Sequence, residues 1–243
     1  MIKLIETNHL PSVNFTDGFS VTKIKANFLS YGCGYDFLRV WYQKNENGPI
    51  TALIEKFENS IFIAADPTAD MNEIKEFISV IGYTSVQATP DILSALGLSF
   101  KEYQVLEYSG ITDGSLPPYP NIKEVYSLLF GEKNEHIAHT DFEGFYADLS
   151  HKIRRGTAAA IILENAAVCV ASHITTDSAV ISGVAVKKAA RKNGLGSRVL
   201  NQLITSLKRR KIFVAAEKSV VPFYIKNKFK KAFKTAIYEA KEY

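Results

Sequence analysis

The sequence predicts a mixed α/β protein in which short strands alternate with amphipathic helices. The β-branched run at 180–186 is typical of a buried strand, and a glycine-containing loop follows it. Apolar residues then recur at helical spacing, namely Val199, Leu200, Leu203, Ile204 and Leu207. In the N-terminal half, strand patterns at 36–44 and 49–57 flank Asn45-Glu46-Asn47-Gly48, which is a hairpin turn signal.

The remaining patterns of the N-terminal half continue this alternation. They predict a strand at 60–65, a helix at 70–81, a strand at 84–88 and a strand at 100–108. Before that last strand, Thr89 and Pro90 open a short helix that Gly97 ends. Residues 1–31 are mixed and indicate no single element.

A segment rich in glycine and proline, 110–121, is the best linker candidate in the chain. We therefore predict an N-terminal α+β domain at 1–110, a linker at 111–120 and a second domain at 121–243. The second domain begins with helical patterns at 122–130 and 141–153. Its predicted strands are at 157–163, 166–175, 180–186, 212–216 and 233–238.

Composition limits the class of protein. A length of 243 residues with 47% apolar and 22% charged residues suits one large or two small globular domains. No apolar run is long enough to span a membrane and no signal peptide is evident, so we expect a cytoplasmic protein. The two cysteines, Cys33 and Cys169, are far apart and predict no disulfide framework.

The loop after the strand at 180–186 has the character of an anion site. Gly194 and Gly196 tolerate backbone angles that other residues resist, and a helix begins directly after them. The first amides of a helix lack intrahelical partners and carry partial positive charge. The glycine spacings of the P-loop and of the dinucleotide-binding fingerprint are both absent, so the loop belongs to neither of these two motifs.

The pattern Arg191-x-x-Gly194-x-Gly196 resembles the GNAT superfamily of acyl-CoA-dependent N-acyltransferases, in which this loop holds the CoA pyrophosphate. The stretch Pro222–Phe229 resembles a later motif of the family, although Lys228 stands where that motif has glycine. The resemblance implies a mixed, mostly antiparallel central sheet that is splayed and flanked by helices. It also implies acetyl-CoA as acyl donor and no metal.

The resemblance further implies the roles of individual residues. The acyl-CoA would be held by Val184, Ala185, Val186, Arg191, Lys192, Asn193, Gly194, Leu195, Gly196 and Ser197. Tyr224 matches the general acid that protonates the departing thiolate. For the general base two candidates stay open, Glu217 after the strand at 212–216 and His173, whose ordinary pKa of about 6.5 suits the role.

Two further features carry weaker hypotheses. Residues 131–140 contain Glu132, Glu135, His136 and His139, but no third ligand of the right type is evident, so we predict no metal site. In the N-terminal half, Asp66-Pro67-Thr68-Ala69-Asp70 replaces the glycine loop. That half is either a degenerate GNAT copy that does not bind CoA or an unrelated α+β domain.

Charge is distributed unevenly along the chain. Residues 187–243 carry a net charge of +13 and residues 1–186 a net charge of −9. The basic segment would attract CoA, and the acidic half favours a cationic acceptor. We predict an N-acetyltransferase in which a primary amine of a small molecule or peptide attacks acetyl-CoA directly in a ternary complex.

Two other functions stay open at this point. One is an acyl-CoA-binding sensor without turnover, and the other is a nucleic-acid-binding module that uses the basic segment. No nucleic-acid motif accompanies that segment, so we do not expect nucleic acid as a partner. Nothing in the sequence specifies an oligomeric state.

Overall fold

The computed structural model describes residues 1–45, 48–110, 114–131, 141–208 and 211–240. The chain divides into two compact units. The first unit comprises Met1–Val105 and Phe233–Tyr243, and the second comprises Leu106–Ala232. The predicted domain boundaries, 1–110 and 121–243, stay a prediction.

The first unit contains most of the elements predicted for the N-terminal half. Its helices are α1 (Gly18–Tyr31), α2 (Met71–Ile81) and α3 (Pro90–Leu96). Its strands are β1 (Ile2–Leu4), β2 (Leu38–Lys44), β3 (Ile50–Phe57), β4 (Ser60–Ala65) and β5 (Ser85–Ala88), followed by β6 (Lys101–Ser109), which continues past the boundary at Val105. The pairs from β1 to β4 are antiparallel, whereas β4 and β5 are parallel.

The second unit contains the elements around the glycine loop. Its helices are α4 (Ile122–Phe130), α5 (Phe142–Arg154), α6 (Leu195–Ser206) and α7 (Val221–Lys226). Its strands are β7 (Ala159–Leu163), β8 (Ala167–Ile174), β9 (Ser178–Val186) and β10 (Lys211–Ala216). The pairs β7–β8 and β8–β9 are antiparallel, and β9–β10 is parallel. The last strand, β11 (Lys230–Glu239), enters the first unit at Phe233 and pairs there with β5.

Both units repeat one order of elements. Three antiparallel strands are followed by a helix, by a strand parallel to the third, and by a short helix. The first unit does this as β2-β3-β4-α2-β5-α3, and the second as β7-β8-β9-α6-β10-α7. The predicted class, a mixed and mostly antiparallel sheet flanked by helices, is confirmed.

Along each strand of the second unit, successive side chains point to opposite faces of the sheet, and each face carries an apolar cluster. On one face α6 packs Val199 and Leu203 against a cluster that includes Cys169. Val184 and Val186 pack against the same cluster, as partly buried neighbours. On the other face α4 and α5 pack against a cluster that includes Ala185. Consecutive residues of β9 therefore face different helices.

Helix α1 is the element that the sequence analysis missed. Its buried residues include Ser20, Thr22 and Asn27 as well as Ile24 and Phe28. Since polar and apolar positions are buried alike, the helix has no polar stripe and shows no amphipathic pattern. At 14 residues α1 is the longest helix described, and no helix in the described part of the chain is long and apolar enough to cross a membrane.

Candidate functional site

The parallel strands β9 and β10 lie side by side for only part of their length. Their register begins with Ser178 opposite Lys211 and ends with Ile181 opposite Val214. Beyond that point, among the described residues, 183–186 pair with β8 alone. The opened edge of β9 is therefore accessible to an extended ligand, which can add to it as a further strand.

A β-bulge lies where the two strands begin to part. Val170 of β8 pairs with Gly183, but the next residue, Ala171, pairs with Ile181, so Ser182 has no partner in the register. Its hydroxyl donates a hydrogen bond to the Val170 carbonyl, 3.4 Å away. Bulges bend a strand and re-aim its side chains. The sequence analysis did not single out Ser182, although Ser182-Gly183 interrupts an apolar run at this point.

The helix that follows β9 begins with uncapped amides. Gly194 precedes α6 with a φ of 77°, and no side chain caps this helix among the described residues. Lys192 also has a left-handed φ, of 66°. The first helical hydrogen bond runs from Arg198 N to Gly194 O, 3.0 Å apart. The amides of residues 195–197 come before it, so they can donate to an anion.

The second glycine of the loop acts differently from the expectation. We expected both glycines to supply unusual backbone angles, but only Gly194 has a positive φ. Gly196 lies within α6, where a Cβ would stand 3.4 Å from Val186 Cγ2 and 3.5 Å from Phe223 Cε2. A Cβ at this position would be in ordinary van der Waals contact with the end of β9 and with α7, so Gly196 is required neither for its angle nor for its size.

Basic side chains surround this loop. Lys187, Arg191 and Lys192 are exposed, and Arg191 Nε donates a hydrogen bond to the Val186 carbonyl at 3.0 Å. A cavity of about 160 Å³ lies beside them. It is lined by Ser127, Leu128, Gly131, Ala185, Val186, Lys187 and Arg191. Ser127, Leu128 and Gly131 come from the C-terminal end of α4.

Among the other residues predicted to hold acyl-CoA, Leu195 and Ala185 have buried side chains and can offer only backbone groups to a ligand. Leu195 is buried in the cluster under α6, so its side chain is part of the core. Ala185 is buried on the opposite face of β9. Asn193 is exposed in the loop and Ser197 is half-buried in the first turn of α6.

Tyr224 lies in α7 and is buried, with 7% of its surface exposed. Its ring centroid is 5.1 Å from that of Phe223 and 5.5 Å from that of Phe229. Burial raises the pKa of its phenol, and the nearby Cys169 thiol raises it further. Cys169 pairs with Val184 in the strand register, so the phenol lies near the opened part of β9. This phenol is protonated at neutral pH, and its raised pKa makes it a weaker acid than an exposed tyrosine.

The two candidate bases lie at different places. Glu217 follows β10 beyond its last pair with β9, and its carbonyl accepts a hydrogen bond from Val221, the first residue of α7, at 3.2 Å. His173 of β8 is opposite Val180, where β9 is still paired with β10. His173 is about 13 Å along β8 from Cys169, given the usual rise per strand residue. Glu217 therefore lies in the segment that leads from the end of β10 into α7, the helix of Tyr224, whereas His173 lies on β8.

The histidine-containing segment considered for metal binding, with Glu132, Glu135, His136 and His139, lies outside the described residues. Within the part of the chain that the structure describes, no group of three or more histidine, cysteine, aspartate or glutamate side chains is arranged to hold a metal ion.

Sequence comparison matches residues 132–240 to the acetyltransferase (GNAT) domain. This stretch contains the opened strand β9, the glycine loop, the uncapped helix α6 and Tyr224. Residues 132–240 are a GNAT domain. No curated protein sequence is significantly similar to the chain.

Solved GNAT structures share the fold of the chain over nearly its whole length. A GCN5-related N-acetyltransferase from Sphaerobacter thermophilus is 10% identical, with a TM-score of 0.56 over 92% of this chain and 94% of that one. One from Kribbella flavida is 13% identical, with a TM-score of 0.55 over 92% and 95%. A tandem GNAT protein from the clavulanic acid biosynthesis pathway is 9% identical, with a TM-score of 0.53 over the full length of both chains.

The end of α7 in the GNAT domain carries a strained residue. Lys228 has a φ of 69°, the left-handed region that favours glycine. Its amide donates to the Ile225 carbonyl at 3.0 Å, and the Phe229 amide donates to the Tyr224 carbonyl at 3.1 Å. These bonds end the helix and hold Tyr224 in place, although the side chain at position 228 resists the angle they require.

We predict that Lys228→Gly stabilises the GNAT domain by about 0.5–1 kcal/mol, because the left-handed angle costs a side chain about that much. Urea-induced unfolding of the full chain measures the change. The matched control is Lys226→Gly, which removes an exposed lysine from the helical part of α7 and should cost about 0.5–1 kcal/mol. Equal destabilisation by both variants would contradict the strain at Lys228.

Proposed function

We propose that the chain is an N-acetyltransferase that transfers an acetyl group from acetyl-CoA to a primary amine, by direct attack in a ternary complex. The observation that carries the proposal is the opened edge of β9 beside the uncapped N-terminus of α6. The strand edge can accept an extended chain, and the helix N-terminus can accept an anion. CoA has an extended pantetheine arm and an anionic diphosphate.

The glycine loop would bind the diphosphate of CoA. The amides of residues 195–197 would donate to its oxygens, and the surrounding charges of Lys187, Arg191 and Lys192 would attract it. The backbone of residues 182–186 would pair with the pantetheine arm. Val184 and Val186 would line its path, and an amide at Val184 or Ala185 would polarise the thioester carbonyl.

The chemistry then needs a proton acceptor and a proton donor. The amine nitrogen attacks the carbonyl carbon and loses a proton as the carbon–sulfur bond breaks. Tyr224 would donate its phenolic proton to the departing thiolate, since a tyrosine phenol is protonated at neutral pH. Glu217 would take the amine proton directly or through a water molecule. Its position beyond the last β9–β10 pair favours it over His173.

The first unit is proposed to be a degenerate second copy of the GNAT fold. The shared order and strand polarity of the two units support this, as does the fold similarity to a tandem GNAT protein. Under this proposal residues 121–243 are the catalytic domain and 1–110 the degenerate one, joined at 111–120. The acceptor would be a small-molecule or peptide amine, and the acidic N-terminal half favours a cationic one.

Gly194→Val tests the diphosphate site. A β-branched residue at a φ of 77° is strained by about 1–3 kcal/mol and shields the adjacent amides, so we expect acetyl-CoA affinity to fall at least about tenfold. The matched control is Gly82→Val, which has a φ of 68° and equally open surroundings at the end of α2. Thermal shift with acetyl-CoA measures both. Unchanged acetyl-CoA binding by a folded Gly194→Val variant would overturn the site.

Tyr224→Phe tests the proton donor. We expect kcat to fall by about a hundredfold with acetyl-CoA affinity unchanged, because only the leaving-group proton is lost. Tyr108→Phe is the control, since its ring also packs on Phe229, with centroids 5.5 Å apart. Steady-state assays with polyamines, aminoglycosides and neutral amines supply the rates. Equal kcat for Tyr224→Phe and wild type would contradict the role, and binding of acetyl-CoA without turnover by wild type would indicate a sensor.

Glu217→Gln and His173→Gln decide between the candidate bases. We expect Glu217→Gln to lower kcat by about a hundredfold at neutral pH and His173→Gln to have little effect. The deficit of Glu217→Gln should shrink towards about pH 10, where the amine deprotonates without help. The pH dependence of kcat measures this. A collapse of activity in His173→Gln alone would show that the base is misassigned.

A further inference from the structure

The first unit contains a cavity of about 740 Å³ that the proposed acetyl transfer does not use. It lies where β4 and β5 end, among residues that include Ala65, Asp66, Thr89 and Pro90. The two strands pair only from Ser60 to Phe62, so their ends part as those of β9 and β10 do. The cavity thus occupies the place in the first unit that corresponds to the proposed CoA site in the second.

The loop beside this cavity is unsuited to an anion. Asp66 Oδ1 accepts hydrogen bonds from Thr68 N at 3.0 Å and Thr68 Oγ1 at 2.8 Å, and these bonds lower the pKa of Asp66. Pro67 has no amide proton to offer. Asp70 Oδ1 accepts from the amides of residues 72 and 73, which are the first amides of α2. The groups that would bind a phosphate are already bonded to carboxylates of the chain.

The charge of the lining favours a cation. Four carboxylates line the cavity, those of Asp17, Asp66, Asp91 and Glu102, against the single ammonium of Lys234. Lys234 forms a salt bridge with Glu102, which leaves the three aspartates in excess.

Asp17 supplies an independent sign of a missing ligand group. It is 3% exposed and lines the cavity. Its Oδ1 accepts a hydrogen bond from Ser20 N at 3.0 Å and so caps α1, whereas its Oδ2 is buried with no hydrogen-bond partner among the described residues. Burial raises the pKa of this carboxyl, although hydrogen bonds from Ser20 and the charge of Lys23 oppose part of the increase. Native proteins rarely leave such an atom unsatisfied.

The shape of the lining points to an organic cation rather than a metal ion. A divalent ion needs several oxygens gathered within bonding distance, and no such group of side chains exists in the described part of the chain. Met71, Ile92 and Phe233 add apolar surface to the same lining. A lining that combines carboxylates with apolar side chains suits an aliphatic chain that carries positive charges.

We propose that the cavity of the first unit binds an aliphatic diamine or polyamine, with one ammonium lying against Asp17 and another lying against Asp66 and Asp91. Apolar contacts with Met71 and Ile92 hold the methylene chain. The site is independent of the proposed acetyl-CoA site, and binding here needs no acyl donor.

Calorimetric titration and thermal shift of the full chain with putrescine and spermidine, without acetyl-CoA, test the proposal. The isosteric neutral probe is 1,4-butanediol. We expect the diamines to bind and raise the melting temperature, and the diol to do neither. Absence of diamine binding, equal binding of the diol, or tight binding of Mg²⁺ or Ca²⁺ that excludes putrescine would each overturn the proposal.

Variants locate the site. Asp17→Asn keeps an N-cap of α1, since asparagine caps as well as aspartate, and should weaken putrescine binding at least tenfold. Asp91→Asn alters an exposed residue and should weaken it severalfold without risk to folding. The matched control is Glu76→Gln, an exposed carboxylate of α2 outside the lining. Gly194→Val should leave putrescine binding intact, which separates this site from the proposed function. Wild-type affinity in both aspartate variants would show that the cavity is not the binding site.

Discussion

The early end of pairing between two parallel strands is the constraint on which the second unit depends. Four residue pairs join β9 to β10, and beyond them the two strands form no further backbone pairing among the described residues. The bulge at Ser182 allows β9 to stay bonded to β8 while it bends at this point. Helix α6 begins at the opened end of β9, and α7 follows the opened end of β10. An open strand edge, an uncapped helix N-terminus and the helix that carries a phenol therefore lie where a few backbone hydrogen bonds between β9 and β10 are not formed.

The first unit shows that the same backbone can present opposite chemistry. Its strands β4 and β5 also part after a short parallel pairing. However, the loop between β4 and α2 carries Asp66, Pro67 and Asp70 instead of glycines and basic residues. A fold fixes where a ligand can lie, and the side chains decide which charge it carries. The contrast between an acidic and a basic half, visible in the sequence, thus has a counterpart in two separate cavities.

Much of this arrangement could be predicted from local patterns. The strands and amphipathic helices between 36 and 97 follow from period and turn residues, and the glycine loop and α6 follow from the change of period after Val186. Helix α1 could not be predicted, because neighbours bury its polar side as well as its apolar side. The surroundings of Gly196 could not be predicted either, since Val186 and Phe223 come near it only through tertiary packing. No local sequence pattern predicts that β11 returns to the first unit either.

The caps of α2 and α6 differ in a way that has a dynamic consequence. Asp70 satisfies the first amides of α2 from within the chain, so that helix is complete as soon as it folds. Gly194 offers α6 no such acceptor, and its first turn depends on an outside partner for the same bonds. Amide hydrogen exchange at the start of α6 should accordingly be fast in the empty protein and slow once an anion is seated, while α2 exchanges slowly throughout. Protection of those amides is then part of ligand recognition itself.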